Sequence, residues 1–405
     1  MTKTLLCAAL LAAITTPAMA RTIMVEVKGD AQEAIQSALI EAKPGDVVQL
    51  PAGRFALDDG LSLDVDNVTV KGAGPDRTVL SFKGQTGAGE GLLVTSDRVL
   101  LTGFAIEDSK GDGVKAKGAD RITFHDLRVE WTGGPKETNG AYGIYPVSST
   151  NVLIDKVTVR GASDAGIYVG QSDNIVVRNS TAEYNVAGIE IENSTNAVVE
   201  RNVARHNAGG ILVFDLPNLP KMGGHSVRIA NNQVVANDTP NFAPKGNIVA
   251  TVPTGTGIMV MANRDIEVAG NELADNQTAH VMVVAYRQPF DDARYNPLPR
   301  RVAIHGNKYG RGGWAPQFPG GAELAKAVGG TLPPVMWDGA ATYQLKGEQK
   351  SDEVALSADA PVLSLNLAAA GADMATAKPA LAPVPPAKPL GLADVRLPAD
   401  QPKVL

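Results

Sequence analysis

One motif, a glycine followed by an aliphatic residue, returns along this chain at a near-constant step. The pairs are Gly91-Leu92, Gly113-Val114, Gly143-Ile144, Gly166-Ile167, Gly188-Ile189, Gly210-Ile211 and Gly257-Ile258. The steps are 22, 30, 23, 22, 22 and 47 residues. The longer steps read as a coil with an insertion, and as about two coils with an inserted loop. A repeat of this length means stacked copies of one small unit, each burying its apolar face on its neighbours.

Three repeats align without gaps: 143–151, 166–174 and 188–196. Each starts Gly-Ile, alternates, and ends at an Asn before a second short apolar run (Val152-Leu153-Ile154, Ile175-Val176-Val177, Ala197-Val198-Val199). Such alternation marks strands, because successive side chains point to opposite faces. Two or three short strands per 22-residue turn leave no room for crossover helices, so the spacing predicts a β-solenoid and excludes a doubly wound α/β sheet. Asparagine adds two further columns: Asn185, Asn207, Asn237, Asn276, and Asn202, Asn232, Asn271, Asn307. Asn suits turns, and its amide can bond the equivalent amide one coil away. These columns read as structural.

Before the repeats, Asp30-Ala31-Gln32-Glu33 has the form of a capping box. Ala31, Ala34, Ile35, Ala38 and Leu39 make an apolar stripe at helical spacing, ended by Pro44-Gly45. Val47 to Gly53 follows as a first strand and turn. A helix there would cap the open end of a solenoid. The runs Ala34-Ile35-Gln36 through Pro44-Gly45-Asp46, Leu50-Pro51-Ala52-Gly53, and Asn67-Val68-Thr69-Val70-Lys71-Gly72-Ala73-Gly74 resemble the opening of pectate-lyase-like right-handed parallel β-helix proteins. The likeness covers roughly residues 30–310. It implies an all-β fold: a single right-handed parallel β-helix of about ten coils, with an N-terminal helical cap and an irregular C-terminal segment. The superfamily includes lyases, hydrolases, esterases, epimerases and proteins with no known reaction, and no catalytic residue carries over residue by residue.

The ends bound the rest. Residues 1–20 read as a secretory signal, with Lys3, the apolar stretch Leu5–Ile14 and Ala18-Met19-Ala20 as its cleavage site. The stretch is too short to span a bilayer, so the expected location is periplasmic or secreted. Cys7, the single cysteine, falls inside it, which leaves the mature chain without thiol chemistry or disulfides. Losing Lys3 moves the net charge from −6 to −7 (36 basic against 43 acidic residues), a balance unsuited to nucleic acid. The expected organisation is 21–60 cap and first coil, 61–310 β-helix with an insertion at 216–255, 311–359 C-terminal cover with a short helix at 322–328, and 360–405 an Ala/Pro-rich tail.

Counted from each repeat glycine, the second and fourth residues face outward. They run Lys115/Lys117, Tyr145/Val147, Tyr168/Gly170, Glu190/Glu192, Leu212/Phe214, Met259/Met261 and Met282/Val284. In β-helix polysaccharide enzymes this face is the substrate cleft. The resemblance thus implies an acidic polysaccharide that is bound or modified by lyase- or epimerase-type chemistry. Such chemistry needs a base, plus a cation to neutralise the uronate carboxylate. Lys115, Lys117, Tyr145 and Tyr168 are the candidates for moving the proton. Glu190 and Glu192, with Asp215 near the end of the next coil, are candidate Ca2+ ligands. Arg264 and Arg287, at matching places in successive coils, are a candidate substrate clamp. An alternative is a non-enzymatic periplasmic scaffold or accessory factor with a protein partner. There Met259, Met261 and Met282, with His280 or His225, would hold Cu(I). That alternative needs the methionines free, whereas the insertion 216–255 is expected to cover them.

Overall fold

The repeat glycines open the strands of one sheet. Tyr142–Val147, Ala165–Gly170, Ala187–Glu192, Gly209–Phe214, Thr256–Met261 and Ala279–Val284 lie parallel and in register. Ile144, Ile167, Ile189, Ile211, Ile258 and Val281 stack directly over one another inside the coil and are fully buried. The glycine beside each isoleucine answers to a close approach of backbones. A Cβ on Gly188 would stand 2.5 Å from the carbonyl oxygen of Gly210 in the next coil, and one on Gly210 would stand 2.6 Å from that of Gly257.

The computed structural model describes residues 20–403 apart from residue 88. A 12-stranded sheet forms one face of the coil, and a 20-stranded sheet wraps the other two. The long strand Asp120–Glu130 joins those two faces, pairing with both Thr150–Asp155 and Thr158–Arg160. No helix falls between residues 113 and 211. Both asparagine columns form amide ladders at the turns. Asn185 Nδ2 donates to Asn207 Oδ1 at 3.1 Å, and the Asn207–Asn237 and Asn237–Asn276 steps are 3.0 Å each. The second column repeats the pattern from Asn202 to Asn307. These buried amides satisfy turn carbonyls that would otherwise be orphaned.

At the N-terminal end the helix Ala31–Glu41 covers the coil with Ile35, Ala38 and Leu39 buried. Asp30 caps it, accepting from the backbone N–H of Gln32 at 2.8 Å and of Glu33 at 3.3 Å. The expected secretory segment lies, but for its last residue, outside the described residues. Among the described residues no helix is long and apolar enough to cross a membrane.

The stack is longer than the repeat motif suggests, about 13 turns and not about ten. The expected boundary at residue 310 is corrected for the same reason. Val335–Trp337 and Val362–Ser364 continue the glycine-bearing sheet, with Val281, Val335 and Val362 in register, and Leu356–Ala358 extends the other sheet. The motif fades because these late coils lack the Gly-Ile pair while keeping an apolar inward residue. The short helix is Gly321–Ala327. The tail is an extended strap along the outside of the coils. Leu392 accepts from Arg228, Arg396 from Asn174, and the buried Gln401 side chain donates to the carbonyls of Ile122 and Asn151.

Candidate functional site

The outward column holds its expected register. Lys115 pairs with Tyr145, Tyr168 with Glu190, and Gly170 with Glu192. Glu190 and Glu192 in turn pair with Leu212 and Phe214, and these with Met259 and Met261. Tyr145 and Tyr168 hold equivalent places, since Ile144 pairs with Ile167 and Val147 with Gly170. The methionine end of this face is covered by the insertion, as expected, and the burial extends back to Tyr168. Two segments lie over it: the insertion 216–255, through Val249 and Val252, and the loop 285–299, through Tyr286 and Tyr295. They pack with Tyr168, Leu212, Phe214, Met259, Met261 and Met282 into a second apolar cluster outside the coil. Burying a stripe of this size removes an apolar patch that water would penalise.

The three tyrosines lie against one another. The Tyr142 and Tyr168 ring centroids are 4.3 Å apart, those of Tyr142 and Tyr145 4.5 Å, and Tyr145 meets Tyr168 edge-on at 5.0 Å. Tyr168 folds back over Gly170 and donates its hydroxyl to Glu192 Oε1 at 2.7 Å. At the outer rim Lys115 Nζ sits 4.9 Å above the Tyr145 ring. It forms ion pairs with Glu90 at 3.3 Å and Asp112 at 3.4 Å. Lys117 is exposed and lies beside Val147, away from the tyrosines.

Behind this rim lies a carboxyl cluster. Glu190 is fully buried, and no hydrogen bond of ordinary geometry reaches either of its oxygens. Burial first, then Asp164 and Glu192, push its proton affinity far above the ordinary carboxyl range. Burial raises Glu192 as well, opposed by the Tyr168 hydrogen bond. Asp164 is raised by burial and by Glu192, although Asn247 of the insertion donates to its Oδ2 at 3.0 Å. Three carboxyls held this way cannot all ionise, so they retain protons at a pH where exposed acids have lost them. Asp112 at the rim is also raised, chiefly by burial and against the pull of Lys115. Burial holds the Tyr145 phenol up at about 12 and raises Tyr142 and Tyr168 further. The phenols are therefore hydrogen-bond donors near neutral pH, and a proton acceptor here must be a carboxylate.

Asp215 is drawn into a different job. Its oxygens accept the backbone N–H groups of Gly223 and Gly224 at 3.0 and 2.8 Å, and its carbonyl accepts the Tyr295 hydroxyl at 2.6 Å. It thereby pins the root of the insertion, helped by Asn193, which bonds Leu216 and Lys221. Among the described residues no three His, Cys, Asp or Glu side chains are gathered as a ready cation cage. Of the expected trio Glu190, Glu192 and Asp215, it is Glu190 that keeps unpartnered oxygens.

The expected clamp of Arg264 and Arg287 does not form. Arg264 opens a strand of the large sheet, pairs with Arg300 in the next coil and binds Asp265 at 2.8 Å. Arg287 lies in the loop after Ala279–Val284 and donates to the Ala372 carbonyl. The inserted segment 285–299 breaks their equivalence. Met259, Met261 and Met282 are 5%, 6% and 8% exposed. The imidazoles expected beside them bond elsewhere, His280 to Asn276 and the Gly310 carbonyl, His225 to Ser226.

Glu90, Asp112, Tyr142 and Asp164 had no place in the sequence-derived column. Glu90, Asp112 and Tyr142 each immediately precede a repeat glycine, and Asp164 lies two residues before one. Strict alternation assigns the preceding residue to the inside, but the turn entering the strand swings it out. The recurrence of acidic or aromatic residues just before the glycine was the available signal.

A family model described as a right handed beta helix region matches residues 90–273. No curated protein matches the sequence. The chain is similar in structure to the A-module of a mannuronan C-5 epimerase from Azotobacter vinelandii, with a TM-score of 0.50 at 16% identity over 76% of this chain and 87% of that one. It is also similar to an alginate lyase from Paenibacillus, with a TM-score of 0.48 at 18% identity over 72% and 97%. A third is the catalytic unit of an α-1,3-glucanase from Streptomyces thermodiastaticus, with a TM-score of 0.49 at 18% identity over 84% and 53%. At such identities the likeness carries the coil and nothing finer. The chain has the fold of a right-handed parallel β-helix, and the family model matches it over residues 90–273.

Proposed function

We propose that this is an exported, periplasmic or secreted, β-helix protein that modifies a polysaccharide, and that its substrate is an acidic one. The observation that carries the reading is the rim where Lys115, Asp112 and Tyr145 meet, backed by the hydrogen-bonded Tyr168–Glu192 pair. It is supported by structural neighbours described as polysaccharide epimerase, lyase and glucanase. Abstraction of the proton beside a uronate carboxylate needs a base of intermediate strength, a cation at the carboxylate and a proton donor for the product. Asp112, raised by burial, is the base. Lys115 faces the carboxylate, and Tyr145, a phenol that keeps its proton, is the donor. A protonated inner cluster also keeps the cleft from repelling a polyanion, because Glu190, Glu192 and Asp164 then add little negative charge.

The test is incubation with polygalacturonate and with alginate, with and without Ca2+. Absorbance of unsaturated product reports elimination, and proton NMR of the recovered polymer reports epimerisation. Activity that Tyr145→Phe and Asp112→Asn both reduce by at least about 100-fold supports these roles. A flat trace and unchanged NMR on a broad panel of uronates, with no binding, would falsify the proposal.

A further inference from the structure

Four coils beyond Tyr145 on the same face, the cover does not close on the strands. A cavity of about 350 Å³ remains between them. Its floor is the outward column itself, where Met259 pairs with Met282 and Met282 with Met336. Met261 and Met374 complete a wall of five thioethers, and Ile248 and Phe318 close the sides. Arg287 stands at the mouth. It lines this cavity and a second one of about 340 Å³ on its other side, where Lys346 is a further cation. The guanidinium donates to the Ala372 carbonyl at 2.5 Å and meets the Met374 sulfur at 3.0 Å, and its charge also acts on the buried Asp338. Asp338 is the acid on the cavity wall. It is buried, and its oxygens already accept the N–H groups of Ala285 and Ala340.

We infer that this cavity binds a flexible alkyl or acyl chain that ends in a carboxylate, with the chain among the methionines and the head at Arg287. The volume falls at the small end of ligand pockets, roughly 300–1,000 Å³, which suits a medium-length chain. Methionine is unbranched and polarizable, and five together make a wall that adapts to a chain of no fixed shape. The lining is apolar apart from Arg287, Gln288, Thr251 and Asp338, so a sugar placed there would leave its hydroxyls unpaired. Arg287 supplies the charge complementarity, since a guanidinium fork matches a carboxylate. The cleft at Lys115 and Tyr145 plays no part, so the inference stands or falls apart from the proposed polysaccharide activity.

Decanoate and decanol are the probes, titrated calorimetrically into the full chain. Saturable decanoate binding is expected, weakened about tenfold in Arg287→Ala by loss of one charge-assisted contact, while decanol binds more weakly and is indifferent to that change. Met261→Trp, which fills the cavity, should abolish binding of both. Peroxide oxidation gives a readout in the unaltered protein: bound decanoate should slow sulfoxide formation at Met259, Met261, Met282 and Met336 and leave the exposed Met24 unaffected. Absence of saturable decanoate binding overturns the inference. So does decanoate binding that neither substitution changes, or equal protection of Met24.

Discussion

The Tyr168 hydroxyl reaches Glu192, one coil away, because residue 170 has no side chain. The ring lies over the space that a Cβ at Gly170 would fill, and such a Cβ would stand 2.6 Å from the phenolic oxygen. A glycine within an outward strand position thus makes room for a hydrogen bond that ties the tyrosine cluster to the carboxyl cluster.

Gly170→Ala should displace that ring. The strand tolerates alanine, so the cost is the lost hydrogen bond plus crowding, about 2–3 kcal/mol. Tyr168→Phe removes the hydroxyl without crowding and should cost about 1–2 kcal/mol. Urea unfolding monitored by circular dichroism measures both. Equal stability of Gly170→Ala and the parent would show that Tyr168 does not need this space.

The buried acids set a pH dependence whose sign follows from their direction. Glu190, Glu192 and Asp164 have folded-state proton affinities raised above the unfolded values, through burial first; repulsion from Asp164 and Glu192 adds to this at Glu190, from Glu192 at Asp164 and from Asp215 at Glu192. Between the unfolded carboxyl range, about 4, and their raised values, the folded chain binds more protons than the unfolded one. Stability therefore falls as pH rises through that window and is greatest towards its acidic end. Glu190→Gln mimics the protonated group permanently. It should melt higher than the parent at pH 8 and near it at pH 5, which thermal scans across that range would reveal. A parent whose melting temperature climbs steadily from pH 5 to pH 8 would contradict the cluster's assignment.

The asparagine ladder offers a purely structural test. Asn207 donates to the Ala182 carbonyl and to Asn237, and accepts from both the backbone and the side chain of Asn185. Asn207→Ala leaves several buried groups unpaired and should cost roughly 3 kcal/mol or more. Asn207→Asp restores the acceptor and not the donor, so an intermediate melting temperature is expected. A loss below about 1 kcal/mol for alanine would mean that water replaces the ladder.

The coil was legible in the sequence because a stacked repeat leaves a period: inward Ile144, Ile167, Ile189 and Ile211, and the two Asn columns, each occupy one place per turn. The outward column was legible for the same reason. Depth was not. Whether Glu190 meets water depends on segments outside the repeat: the insertion 216–255 was expected over the methionines, but no period reports how far along the column the burial extends. The misplaced Arg264–Arg287 clamp shows the same limit, because residues 285–299 shift the later arginine off its coil position. Asp215 looked like a third carboxylate in the column, but its partners Gly223 and Gly224 come from the loop that follows it.

Calcium at Glu190 and Glu192 is a proposal to which proton competition gives a signature. Metal ligands must be deprotonated, and burial makes these carboxyls hold their protons. A Ca2+ ion also takes six to eight oxygens, more than the pair offers, so water or a substrate carboxylate must complete the shell. Any Ca2+-dependent rise in melting temperature should accordingly be large at pH 8, smaller at pH 6.5 and absent at pH 5. It should vanish at every pH in the Glu190→Gln/Glu192→Gln variant, whose fold is kept because both residues become neutral without changing size. Differential scanning fluorimetry with a Mg2+ control reads this directly. A rise that persists in the double variant would place the cation elsewhere on the coil. No rise at pH 8 in the parent would leave the buried pair as a proton store alone, and the rim chemistry of Asp112, Lys115 and Tyr145 would have to run without metal.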